Sequence, residues 1–255
     1  MAEDRPPYYY LDNLINVLLV DDDPRILELV RQILSPLRLY AITTAATAAK
    51  AEKHLSQPAR THLCILDLGI ADRERDEFHL LRRFSSRVSF IMLTGCSSPA
   101  KGFRCHELGA KSLVEKSGDF DNDSFLRTVN RCALLNIINP RYGLVKDTLN
   151  TSTNVLFDHS PTSVSNWALE MAITDRELRN IWKKHLGANA KTILAIYQMF
   201  SAAIGYYERQ NLSVTVYQNN SETDQANYRR LEEYFHCHRS IITDFIEFGN
   251  VVNFI

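Results

Sequence analysis

Four groups of polar residues stand at the ends of apolar runs. Asp21, Asp22 and Asp23 follow INVLLV directly, Asp67 stands at the end of LCILDL, Thr94 ends VSFIMLT, and Lys116 ends KSLVEK. Brought together, they would make an acidic pocket with one hydroxyl and one ammonium. Clustered carboxylates repel one another and favour a hard divalent cation with oxygen ligands, here Mg²⁺. A carboxylate beside such a cation can act as a nucleophile towards a phosphoryl group. A hydroxyl and an ammonium can then hydrogen-bond the phosphoryl oxygens.

The elements that must position these groups are legible as alternating apolar runs and helical patterns between residues 15 and about 135. INVLLV, YAITTA, LCILDL, VSFIMLTG and KSLVEK read as five strands. PRILELVRQILS, TAAKAEKHLS, EFHLLRRFS, residues 99–109 and DSFLRTVNRCALLN read as the helices between and after them. Asp23 is placed to cap the first helix, with Pro24 in the first turn, where a missing N–H costs nothing. Nearly continuous apolar strands alternating with helices predict a doubly wound parallel sheet covered on both faces. In such sheets ligands bind outside the carboxyl ends of the strands, where all four groups fall.

An Asp-rich turn after a strand is ordinarily only a helix cap, and a lone Thr or Lys at a strand end says less. The four together, in order, say more. LLVDDDP at 18–24, LCILDLG at 63–69, IMLTG at 91–95 and GAKSLVEK at 109–116 resemble the receiver (CheY-like) domain of two-component response regulators. The resemblance implies a flavodoxin-like fold and phosphorylation of Asp67. It implies Mg²⁺ ligation by Asp22, Asp67 and the carbonyl of Gly69, with Asp21 acting through water, and phosphoryl contacts from Thr94 and Lys116. It also implies a sensor histidine kinase as partner. The sequence departs from the family in IADRERDEF, where Ala71 replaces a usual proline and no glycine follows. Leu113 stands where an aromatic switch residue is usual, and Ser117 follows Lys116 in place of proline.

After about 140 the strand signal fades. Turn chemistry precedes a weak helix and a loop, then a helical pattern runs over 163–209, a polar stretch follows, and a last helical stretch covers about 224–248. This predicts an all-α second domain. Within it WALEMAITDRELRNIWKKHLG at 167–187 reads helix, tight turn, helix. Thr174 and Glu177 have the spacing of a capping box, and Ala168 is small where two helices would cross. Leu178, Ile181 and Trp182 share an apolar face. Arg176, Arg179, Asn180 and Lys183 fall largely outside it. Arg reads guanine and Asn reads adenine from a helix in the major groove, and Lys184 suits a phosphate contact.

Residues 145–248 resemble the AraC-type DNA-binding domain, two helix-turn-helix units joined by a long helix. Thr174, Leu178, Trp182 and Gly187 match that family's spacing, and TILAIYQMFSAAIGYY would be the connecting helix. The resemblance implies a second unit over 211–235. There Asp224, Gln225, Tyr228 and Arg230 fit the recognition helix, and Gln225 and Arg229 are the candidate DNA contacts. Ser221-Glu222 replaces a usual Gly-Phe pair, and Glu232 and Glu233 stand where an aromatic and a basic residue are usual. Residues 140–255 hold 11 Lys+Arg against 12 Asp+Glu, whereas DNA affinity rests largely on neutralising phosphates.

The chain of 255 residues, 45% hydrophobic and 23% charged with a formal charge of −1, is an ordinary globular composition. No apolar run is long enough to span a bilayer, and MAEDRPPYYY lacks the pattern of a signal peptide. Cys64, Cys96, Cys105, Cys132 and Cys237, without a CxxC pair, read as free thiols in a reducing cytoplasm. HCH at 236–238 lacks a second ligand pair at structural-zinc spacing. His159 reads as a loop residue without a partner. The sequence thus predicts a tail at 1–14, a receiver at 15–138 and an AraC-type helical DNA-binding domain at 139–255. Such a chain is a cytoplasmic phosphoacceptor and regulator of transcription and not an enzyme. Its expected partners are a cognate histidine kinase and double-stranded DNA, with a second copy of the chain as a candidate and no membrane. The alternative is a receiver with a degenerate helical output that binds protein and no DNA. A small αβ hydrolase would need an acid/base near Asp67, which the sequence does not supply.

Overall fold

The computed structural model describes residues 13–57, 61–70, 78–95, 98–116, 121–140, 142–143 and 148–211. Gln225, Arg229, the rest of the expected second helix-turn-helix unit, the N-terminal tyrosines and HCH at 236–238 lie outside the described residues.

Five strands, β1 (Ile15–Val20), β2 (Tyr40–Ala45), β3 (Leu63–Asp67), β4 (Ser89–Thr94) and β5 (Ser112–Glu115), form one sheet in the order β2-β1-β3-β4-β5. Every pairing is parallel, with β1 between β2 and β3. β3 and β4 are buried at every position, as strands with helices on both faces must be. Helices α1 (Pro24–Leu34), α2 (Ala48–Leu55), α3 (His79–Phe84), α4 (Pro99–Glu107) and α5 (Asn122–Ile138) make the crossovers and the end of this unit. α1 starts where expected: Asp23 caps it by accepting from the Arg25 N–H, and Pro24 takes the first turn. Thr47, Ser98 and Asp121 cap α2, α4 and α5 in the same way, each with a side-chain oxygen accepting backbone N–H groups.

The second half is helical throughout its described part: α6 (Thr148–His159), α7 (Val164–Glu170), α8 (Asp175–Leu186) and α9 (Ala190–Asn211). Two indoles hold α6, α7 and α8 together. Trp167 and Trp182 are fully buried, with ring centroids 5.3 Å apart. Both N–H groups converge on Ser152 of α6, Trp167 donating to its carbonyl at 3.0 Å and Trp182 to its hydroxyl at 2.9 Å. Each buried indole therefore has the partner its N–H needs.

The sheet has two apolar layers. The layer over α2, α3 and α4 is closed on itself and contains Leu18, Val20, Cys64, Leu66, Phe84, Phe90 and Met92. The layer over α1 and α5 runs on without a break into the helical half, from Ile65 and Leu93 through Val129 and Leu134 to Trp182, Ile193 and Phe200. α9 packs against α5 and against a 3-10 turn at Ser35–Leu37 after α1. Cys64, Cys105 and Cys132 are buried in the core. Burial pushes the Cys132 thiol up to about 12 and that of Cys64 upward as well. No described helix is long and apolar enough to cross a membrane.

The structure corrects the reading of His159. It is the last residue of α6, and its Nδ1 lies 3.1 Å from Glu170 Oε2. Glu170 ends α7, and the sharp turn that brings it back towards α6 is invisible in a polar loop sequence.

Candidate phosphoacceptor site and helical output surface

β1, β3, β4 and β5 deliver Asp21, Asp67, Thr94 and Lys116 to the same edge of the sheet. Asp21 is 2% exposed, Thr94 4% and Asp67 6%, which is uncommon burial for carboxylates and needs a counter-charge. Lys116 supplies it. Its Nζ lies 2.6 Å from Asp21 Oδ2 and 2.8 Å from Asp67 Oδ1. The lysine is anchored by its own backbone, whose N–H donates to the Thr94 carbonyl at 2.7 Å. The other Asp21 oxygen accepts the Asp23 N–H at 2.9 Å.

Burial holds the Asp21 carboxyl above its ordinary range, although Lys116 and the Asp23 N–H both pull it down. Burial alone would lower the Lys116 ammonium, but the two carboxylates outweigh it and hold it above its usual value. Asp23 is a different group: it faces solvent, and its hydrogen bonds with Arg25 bring it down to about 2. It is the helix cap, while Asp21 and Asp22 belong to the pocket.

Asp21, Asp22 and Asp67 each place a carboxylate oxygen within 4.8 Å of the others, with Asp22 at the exposed rim. Three converging carboxylates fit a hard divalent cation such as Mg²⁺. Gly69 belongs to the same cradle. A Cβ built there would stand 2.9 Å from Asp67 Oδ2, so any side chain would push on that carboxylate.

Thus Asp21, Asp22, Asp67 and Lys116 come together, and Thr94 joins them through its backbone carbonyl. Leu113, in β5, sits under α4, with a Cδ atom 3.4 Å from the position of a Cβ on Gly102. The IADRERDEF segment lies largely outside the described residues.

In the helical half, α7 and α8 are joined by a tight turn in which Ala172 takes a left-handed φ of 53°. Thr174 and Glu177 form the expected reciprocal capping box at the start of α8. Leu178 and Trp182 are fully buried, and Ile181 packs against the same core. Arg176, Arg179, Asn180, Lys183 and Lys184 are all exposed. At 100° per residue they span an arc of about 140°, opposite Leu178 and Trp182. Arg179 lies 4.0 Å from Asp175 one turn back.

Comparison with known proteins agrees with the sheet unit. Residues 17–128 match the family model of the response regulator receiver domain. The receiver domain of an HD domain-containing protein from Pseudomonas fluorescens is 25% identical, with a TM-score of 0.41, covering 46% of this chain and 93% of its own. The non-phosphorylated HemR receiver domain from Leptospira biflexa is 28% identical at a TM-score of 0.41, covering 47% of this chain and 94% of its own. RcsB from Salmonella enterica serovar Typhimurium, solved bound to promoter rprA, is 18% identical at a TM-score of 0.41 and covers 72% of this chain and 99% of its own. No curated protein matches the chain. By the family match, residues 17–128 form a response regulator receiver domain.

Proposed function

We propose that this chain is a response regulator that takes a phosphoryl group on Asp67 and controls transcription through its helical half. One observation carries the first part: Lys116 joins Asp21 and Asp67 in a buried pocket at the sheet's carboxyl edge. An Asp67 carboxylate oxygen attacks the phosphorus of a phosphohistidine on the sensor kinase. The P–N bond breaks, its electron pair stays on the imidazole, and the ring takes a proton from solvent. The product is an acyl phosphate on Asp67. Lys116 then has a phosphoryl oxygen to pair with, and the Thr94 hydroxyl a second one to donate to. Asp22, Asp67 and the Gly69 carbonyl would hold Mg²⁺, with Asp21 acting through water, and the ion supplies neutralisation of the phosphoryl charge.

Acetyl phosphate with Mg²⁺ should place one labile phosphoryl group on the chain, and Asp67→Asn should remove it. An intact mass without the adduct, or an adduct that survives in Asp67→Asn, rejects the phosphoacceptor role.

The second part rests on the exposed arc of α8. Arg176, Arg179, Asn180 and Lys183 suit base edges in a major groove, and Lys184 suits a phosphate. On a duplex selected from a random pool, Arg179→Ala should cost about 1–3 kcal/mol. Lys184→Ala should weaken all sequences alike and flatten the salt dependence. If Arg179→Ala binds like the parent, or if no duplex is preferred, the DNA role falls. The acid–base balance of residues 140–255 then favours the second reading, an output that binds protein.

A further inference from the structure

α5 is not an ordinary amphipathic surface helix. Residues Cys132–Ile138 are buried at every position, so the helix has core on all sides over its last two turns. One side is the sheet's own layer, and α9 closes another. Polar contacts tie the end of α5 to α6. Arg131 lies 3.0 Å from Asp158 and over the Phe157 ring. The Asn139 amide reaches Asn150 at 3.1 Å and the Thr153 hydroxyl at 3.0 Å.

β5 adds a second tie. At one end of the strand Lys116 grips Asp21 and Asp67. At the other end Lys111 donates to the Tyr142 carbonyl and lies over the Tyr142 ring. Tyr142 in turn donates its hydroxyl to Asn154 of α6. The latch is close-fitting: Gly143 has φ +79°, and a Cβ there would stand 3.1 Å from Lys111 Nζ.

We propose that Lys111 and the shared helix α5 keep the helical unit docked, so that β5 passes a change at the Asp67 pocket to α6–α8 without releasing them. The cationic arc of α8 is already open in this docked arrangement, and engaging a partner does not require undocking. The inference rests on the phosphoacceptor reading for its signal and on no property of the partner. Lys111 is a positioning residue, remote from the pocket chemistry.

Hydrogen–deuterium exchange on the full chain tests it, with samples alone, with Mg²⁺, and with Mg²⁺ and acetyl phosphate. Amides in 129–138 and 193–204 should exchange as one unit, within about threefold of each other, and stay so on loading. Loading should change exchange over 148–159 by more than about threefold in the parent. Lys111→Met should erase that change while adduct formation at Asp67 proceeds at the parent's rate. Arg131→Ala, at an exposed site, should speed exchange over 148–159 without touching the sheet. The proposal is overturned if α9 exchanges far faster than α5, if loading frees α9, or if Lys111→Met responds like the parent. An unchanged intact mass would instead convict the phosphoacceptor reading. The Mg²⁺ arm then decides the inference on the same peptides.

Discussion

Lys116→Met should destabilise the protein by about 3 kcal/mol at neutral pH, because it leaves buried carboxylates without their cation. The methionine keeps the length of the side chain, so packing changes little. What is lost is the ammonium between Asp21 and Asp67, two groups that repel each other once it is gone. Two further signs distinguish this account from a simple packing defect. Mg²⁺ should stabilise the variant more than the parent, since the ion replaces the missing positive charge. The deficit should also shrink in acid. Burial already raises Asp21 above its ordinary 3.8, and without Lys116 the rise is larger. A raised carboxyl favours folding most below its unfolded value, and that advantage is lost as pH rises through the folded value. Urea titrations at several pH values, with and without Mg²⁺, measure all three. A deficit independent of both pH and Mg²⁺ would mean that the pocket's charges are not what Lys116 balances.

Trp182→Ala should cost about 3–5 kcal/mol, the range for deleting a large buried aromatic. The indole is fully buried, packs on Trp167 and satisfies the Ser152 hydroxyl. Its removal opens a cavity where α6, α7 and α8 meet and strips Ser152 of a partner. Trp182→Phe should cost clearly less, because it fills much of the volume and loses only the N–H. Because the apolar layer around Trp182 is continuous with the layer under α5, the loss should shift the main unfolding transition. Far-ultraviolet circular dichroism in denaturant reads this. An unshifted main transition would separate α8 from that layer.

Much of this was legible from local chemistry. Apolar runs such as LCILD are buried at each position, so their strands and the covering helices follow from pattern alone. Asp67 and Lys116 could be placed because strand ends are set by where apolar runs stop, and parallel strands bring those ends to one edge. The capping box of Thr174 and Glu177 is a three-residue spacing and reads directly. What escaped are contacts between distant residues. The pairing of Lys111 with Tyr142 spans 31 positions and that of Arg131 with Asp158 spans 27. Neither side chain differs in type from a solvated lysine or arginine. The run CALLNII at 132–138 did carry a signal, since a helix apolar all round must be covered all round. It does not say by what, and only the fold shows α9 against it. His159 was misread for the same reason, its partner Glu170 lying across a turn.

In the proposed function one carboxylate, that of Asp67, is the phosphoryl acceptor. Borohydride reduces an acyl phosphate, and on aspartate the product is homoserine, a stable mark of the phosphorylated position. The chain should be treated with acetyl phosphate and Mg²⁺, reduced, digested and sequenced by tandem mass spectrometry. Homoserine should appear at position 67 alone, and it should vanish when Mg²⁺ is withheld by chelation or when Asp67 is asparagine. Homoserine at position 21 or 22, or none anywhere in a chain whose sheet is folded, would contradict the assignment of Asp67 and the function built on it.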